Sequence, residues 1–112
     1  MHSVTSNAVA SAYKDAKNYG IGLWVRDTRD YNYTPSYYFA NYGNMVTAEF
    51  KYNSVVDTPF TTGTYITLIT ITPWGDASGG SPTQLAIDTY GNNGIKIRHT
   101  GANDTWTTWT NL

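Results

Sequence analysis

The C-terminal run from Asn93 to Leu112 constrains this chain more than any other stretch. Ile95, Ile97 and His99 fall on one face of a strand and Lys96, Arg98 and Thr100 on the other, the period-two spacing of a pleated surface. Gly101, Ala102, Asn103 and Asp104 then interrupt it, because glycine tolerates positive φ and Asn and Asp side chains close local turns. Thr105, Trp106, Thr107, Thr108, Trp109 and Thr110 return in residue types that suit a strand. The segment reads as a terminal β-hairpin. On a regular strand Trp106 and Trp109 project to opposite faces, one into the core and the other toward solvent or a neighbouring subunit.

The same alternation recurs upstream. Ile21, Leu23 and Val25 oppose Trp24 and Arg26 in a first strand over 21–26. Val46, Ala48, Phe50 and Tyr52 alternate with Thr47, Glu49 and Lys51 in a half-buried strand. Between Thr64 and Thr72, Ile66 and Leu68 point one way while Ile69 and Ile71 point the other, which predicts a central strand or a bulge that shifts phase. Pro73 ends it, the stretch from Trp74 to Pro82 is a glycine- and serine-rich loop, and Leu85 with Ile87 begins the next strand. Tyr90 to Gly94 supplies the Asn and Gly that a hairpin turn demands. The expected fold is mostly β: an N-terminal helix, then about six or seven strands closed by antiparallel hairpins into a sandwich or open barrel.

Ser3 to Asn18 reads as the helix, with Ser3, Thr5 and Ser6 as N-cap candidates, an alanine-rich interior and Gly20 as the stop. Thr5, Val9, Ala12, Ala16 and Tyr19 recur along one seam. A helix this short needs a surface to lie on. That surface is either other copies, in the end of a parallel coiled coil, or the chain's own sheet. The division expected is a helical stalk end over 1–19 and a β-rich domain over 20–112, the seam marking the chain as an excerpt of a longer fibre protein.

Residues 27–44 follow neither period. They carry Tyr31, Tyr33, Tyr37, Tyr38 and Tyr42 around Pro35. Such a loop either folds over a core or displays its rings. Displayed, the rings would stack on the C–H faces of sugars, with Asn32, Asn41, Asn44, Asp27 and Asp30 taking hydroxyls; packed, they would leave their own hydroxyls in water. Trp74 beside its glycine-rich loop, Asp76, and the turn residues Asn92 and Asn93 complete the candidate ligand contacts.

Composition excludes several classes. Charged residues make up 13% of the 112 and the net charge is -1, so nothing marks a nucleic-acid or anionic-membrane partner. The chain has no cysteine, hence neither a disulfide framework nor a thiolate metal site. No apolar run approaches the length of a membrane span, about 18 residues or more. Aromatics at 15%, ten of them Tyr, with abundant Thr, Asn, Ser and Gly, form the palette of adaptable binding surfaces. His2 and His99 have no carboxylate at ligand spacing, the serines lack a nucleophile-elbow context, and Gly75–Gly80 lacks the Lys-Ser/Thr of a phosphate loop. Asp27 with Asp30, or Asp76 with Asp88 or Asp104, reads as ordinary loop acids rather than a glycosidase pair. The expectation is no enzyme, no cofactor and no metal.

The pattern G-I-K-I-R followed by T-W-T-T-W-T-N-L resembles the C-terminal ending of knob domains at the tips of phage tail fibres and R-type pyocin fibres. The stretch from Ile71 to Ile87 is similar to a glycine-rich loop and apolar strand of that family. Met1–Tyr13 is similar to a segment that recurs ahead of the fibre tip; residues 27–63 carry no resemblance. The resemblance implies a homotrimer that recognises bacterial surface carbohydrate, carried on the virion tail fibre and made in the host cytoplasm. It also implies that Trp106 and Trp109 serve the fold with Arg98 paired nearby. The alternatives from other classes are a monomeric carbohydrate-binding module and a structural fibre-assembly domain that binds no receptor.

Overall fold

The computed structural model describes residues 24–88, 90–91 and 93–112. The expected N-terminal helix, its seam Thr5, Val9, Ala12, Ala16 and Tyr19, the start of the first strand, and Asn92 lie outside the described residues. The elements are β1 (Trp24–Asp27), α1 (Pro35–Tyr42), β2 (Met45–Tyr52), β3 (Tyr65–Thr72), β4 (Thr83–Asp88), β5 (Ile95–His99) and β6 (Thr110–Asn111), with a 3₁₀ turn at Ala77–Gly79. The strands lie in sequence order in one six-stranded sheet. β1 runs parallel to β2, and every later pair is antiparallel.

The architecture is therefore mostly β, as expected. The described strands form a single open sheet with β1 and β6 at its edges, rather than a closed barrel or two stacked sheets. β2 and β3 pair over their whole length, from Met45 opposite Thr72 to Tyr52 opposite Tyr65, so β3 is a central strand without a bulge.

Which face is covered runs against the apolar pattern. The helix, the 53–64 loop and the C-terminal tail lie over the face that carries Thr47, Glu49, Lys51, Thr70, Gln84 and Arg98, all buried. Apolar residues interrupt this polar floor in two places. Val56, Phe60, Ile66, Leu68 and Ala86 form one cluster, joined by Val55 and Trp109. Tyr38, Tyr42 and Met45 form the other, joined by Tyr33, Tyr37 and Trp106. The opposite face carries Val46, Phe50, Ile69, Leu85, Ile87 and Ile97 half-buried, with Ile71 and Ile95 each 39% exposed. Buried polar groups persist mostly when hydrogen-bonded, and the charged and amide groups of the floor meet that condition, whereas the buried hydroxyls of Thr47 and Thr72 have no hydrogen-bond partner among the described residues. Arg98 Nε donates to Gln84 Oε1 and Gln84 Nε2 to Thr70 Oγ1 across three neighbouring strands. Glu49 accepts from Tyr38 Oη at 2.6 Å and from Thr28 Oγ1, and ion-pairs with Lys51 at 3.1 Å.

Two further departures have physical causes. Residues 35–42 form a helix where the sequence shows no period. Pro35 occupies the start of the helix, where a missing N–H costs nothing. Thr34 makes no side-chain cap; instead Asp104 of the distant turn accepts from Ser36 N at 2.8 Å and from Ser36 Oγ at 2.6 Å. The helix is thus held from outside, by that carboxylate at its positive end and by burial of Tyr38 and Tyr42.

The C-terminal return, in turn, is barely a strand. After an isolated bridge between Thr100 and Trp106, ladder pairing resumes only at Thr110–Asn111. The intervening segment is held by Gly101 N to Thr105 O and Thr107 N to His99 O. Freed from pleat geometry, Trp106 and Trp109 do not point to opposite faces: both rings lie against Arg98.

Candidate functional site

Arg98 is the centre of the covered side. It leaves β5 into the interior, its guanidinium 4.9 Å from the Trp106 ring centroid and 4.5 Å from that of Trp109. Its three nitrogens are all used: Nε on Gln84 Oε1 at 2.8 Å, Nη1 on Asp57 Oδ2 at 2.7 Å and Nη2 on Asn32 Oδ1 at 2.9 Å. Asn32 also donates to Asp57 Oδ2 at 3.3 Å. Burial pulls the guanidinium below its ordinary value, and Asp57 opposes that pull. Each indole is anchored by its own N–H, Trp106 on the carbonyl of Tyr33 and Trp109 on that of Val56. The clasp therefore ties together β5, the tail, the tyrosine loop and the 53–64 loop.

Beside the clasp lies a groove of about 310 Å³ lined by Asp57, Thr58, Pro59 and the tail residues Trp106 to Trp109. A smaller hollow of about 140 Å³, lined by Pro59, Phe60, Thr61, Asn93 and Lys96, shares Pro59 with it. Asn53 shapes this loop, its amide donating to Phe60 O and accepting from Phe60 N. Asp57 and Thr58 sit consecutively at φ 63° and 47°. Left-handed backbone at a β-branched residue is strained, and such strain collects at functional positions.

The tyrosine loop abuts the clasp. Tyr31, Tyr33 and Tyr37 form a stack with centroid separations of 5.5 and 3.7 Å and nearly parallel rings. Lys51 fixes the loop from below, donating to the carbonyls of Thr28 and Tyr31 and lying 4.6 Å from the Tyr33 ring centroid. Burial lowers the Lys51 ammonium from its ordinary value, with Glu49 opposing the shift. Burial, then the neighbouring Tyr37, pushes the Tyr33 phenol up to about 12. Burial and Glu49 push Tyr38 further in the same direction. This Lys–Glu–Tyr group is directed inward and holds the loop in place; it offers no exposed acid or base.

The candidate residues are thereby separated. Tyr31 is 60% exposed and available for stacking, Tyr33 and Tyr37 are half-buried, and Tyr38 and Tyr42 are interior and present no face to a ligand. Asn32 is committed to Arg98 and Asp57. Trp74, 50% exposed, belongs to a loop whose Gly75 touches Gly43 at the C-terminal end of α1. Asp104 marks the other end of that helix, about 12 Å away at 1.5 Å per residue. Asp76 caps the 3₁₀ turn through Ser78, and Asn93 is tied to Asp88 and Thr62 while also lining the smaller hollow. Asp57, Thr58, Pro59, Thr107 and Thr108 were not legible as site residues, since a D-T-P turn and threonines on a presumed strand carry no signal of their own.

Among the described residues no three His, Asp or Glu side chains gather as a metal site. No described helix is long and apolar enough to cross a membrane. Around the groove the structure offers indole rings, threonines and the Asp57 carboxylate, whose charge is offset from behind by Arg98. Compared with protein-family models, with curated proteins and with solved structures, the chain matches none.

Proposed function

We propose that the chain is the receptor-binding tip of a phage or prophage tail fibre, working as a homotrimer that binds carbohydrate on the bacterial surface. The observation that carries this reading is the inverted sheet: among the described residues its more apolar face is the less covered one, half-buried over most of its isoleucines and with Ile71 and Ile95 each 39% exposed. Four strands at ~4.8 Å spacing and about 20 Å of strand give a face of about 400 Å², the size of the largest patch a monomer ordinarily carries and often an interaction site. Copies packed through it would bury Ile71 and Ile95, and the sandwich expected from the sequence would then be made between subunits. The likeness of the G-I-K-I-R and T-W-T-T-W-T-N-L segments to fibre knobs supplies the choice of three copies and of the biological setting.

Recognition fits the aromatic surface described above. A single shallow sugar contact is weak, and three tethered copies gain ~10²–10⁴ in apparent affinity when the receptor is repetitive. The reading assigns no chemical step. It is tested by incubating fluorescently labelled protein with whole bacteria and with a panel of immobilised surface polysaccharides. Saturable binding that free polysaccharide competes away is expected. Labelled protein that binds neither cells nor any glycan would overturn the proposal in favour of a fibre-assembly role.

A further inference from the structure

From the groove beside Trp106 and Trp109 we infer a subsite for one neutral pyranose ring, selected against acidic sugars by Asp57. The inference rests on the receptor-binding reading and goes beyond it by assigning the site and the ligand's charge. At about 310 Å³ the groove stands at the lower end of small-molecule pockets, about 300–1,000 Å³. That is enough for a single ring with its hydroxyls and less than most drug-sized pockets enclose.

Three features define the occupant. The lining is amphipathic, joining the indoles and Pro59, suited to the C–H face of a ring, with Thr58, Thr107 and Thr108; the Thr107 hydroxyl oxygen already accepts from His99 N and keeps its proton to donate. The Asp57 side chain is 66% exposed although it pairs with a buried guanidinium. Both of its internal bonds fall on Oδ2, so Oδ1 takes no hydrogen bond from the described residues and is an acceptor for sugar hydroxyls. Finally, the cation that would attract an acidic sugar is sealed: Arg98 is buried, spends all three nitrogens on protein oxygens and lies 4.9 and 4.5 Å from the two indole centroids. A carboxylated sugar would meet the Asp57 carboxylate with no free cation on this wall. The strained Asp57–Thr58 backbone, φ 63° and 47°, presents that carboxylate at the lip.

The test uses the full chain and two-dimensional ¹H–¹⁵N spectra of its indole N–H groups, which the four tryptophans make few enough to assign. Glucose, galactose, mannose, rhamnose and N-acetylglucosamine are titrated as neutral probes, glucuronic acid and N-acetylneuraminic acid as acidic ones. At least one neutral sugar is expected to shift the Trp106 and Trp109 signals saturably while leaving Trp74 unmoved, with acidic sugars weaker by roughly tenfold or more. T108Q, which places a longer chain over the groove and removes no interior contact, should weaken the neutral sugar by roughly tenfold with an otherwise unchanged spectrum. D57N should narrow the gap between neutral and acidic sugars. Shifts confined to Trp74, equal binding of both classes, or no response from any sugar would overturn the subsite. The wider reading survives such a failure if the labelled protein still adsorbs to cells, and falls only if adsorption is lost as well.

Discussion

Replacing Arg98 by methionine separates a fold built on a clasp from one built on its apolar clusters. Methionine keeps most of the aliphatic bulk beside the two indoles and removes the charge and five donors. Gln84, fully buried, loses the donor to its Oε1, at a cost of about 1–3 kcal/mol for an orphaned polar group. Two desolvated ring–cation contacts disappear, each contributing about 1–2 kcal/mol. The ion pair to Asp57 adds little, because that side chain is 66% exposed and exposed pairs contribute under about 1 kcal/mol. Methionine–aromatic contacts offset part of the loss. The net expectation is about 3–5 kcal/mol, from the orphaned Gln84 oxygen and the two lost ring contacts. With a urea slope of about 1–3 kcal/mol/M, the midpoint falls by 1 M or more. Tryptophan emission during urea unfolding, at one fixed protein concentration because association shifts apparent stability, reads this directly. An R98M midpoint within error of wild type would refute this expectation.

Further expectations follow from the same interior. Lys51→Met leaves Glu49 charged and buried without its cation and should cost about 3–5 kcal/mol, whereas Tyr38→Phe removes one of two hydroxyl donors to Glu49 and should cost about 1–3 kcal/mol; urea denaturation ranks the two. Hydrogen bonds from Ser36 Oγ and N hold the Asp104 carboxyl below the usual carboxylate range. Its stabilising contribution is therefore complete above the unfolded value of about 3.9 and is lost as pH falls through the lower folded value. D104N should be the less stable protein at neutral pH, with the difference closing in acid, as followed by thermal melts between those limits. Gly79→Ala places a Cβ 2.5 Å from Trp74 Cβ and Cγ; it should displace that indole and red-shift its emission, while sugar-induced shifts at Trp106 and Trp109 persist.

The strands were legible because period-two alternation is a local property: 46–52, 64–72 and 95–99 all became strands of one sheet. What the alternation could not reveal was which face is covered. The usual inference sends Val46, Phe50 and Ile97 inward, but Lys51 and Arg98 find their partners in Thr28, Tyr31, Asn32 and Asp57, residues 20 to 66 positions away. The helix at 35–42 was hidden for the same reason, since its cap, Asp104, is 68 residues downstream of Ser36. The expected partnership of Arg98 with the tryptophans is present in the fold, and the error lay in assuming strand geometry between Trp106 and Trp109. The groove was invisible from the sequence because it joins a turn at Asp57–Pro59 to a tail about fifty residues on, a proximity that only the closed clasp creates.

The central claim is that the polar face of the sheet is the protein's own interior and that its apolar face belongs to an assembly. Sedimentation equilibrium of the wild-type chain beside the double variant I71E/I95E, which charges the two most exposed isoleucines of that face, tests it most directly. A wild-type trimer and a folded double-variant monomer with an unchanged Trp106 and Trp109 environment are the predicted result. A wild-type chain that sediments as a monomer, or a double variant that still sediments as a trimer, would contradict it.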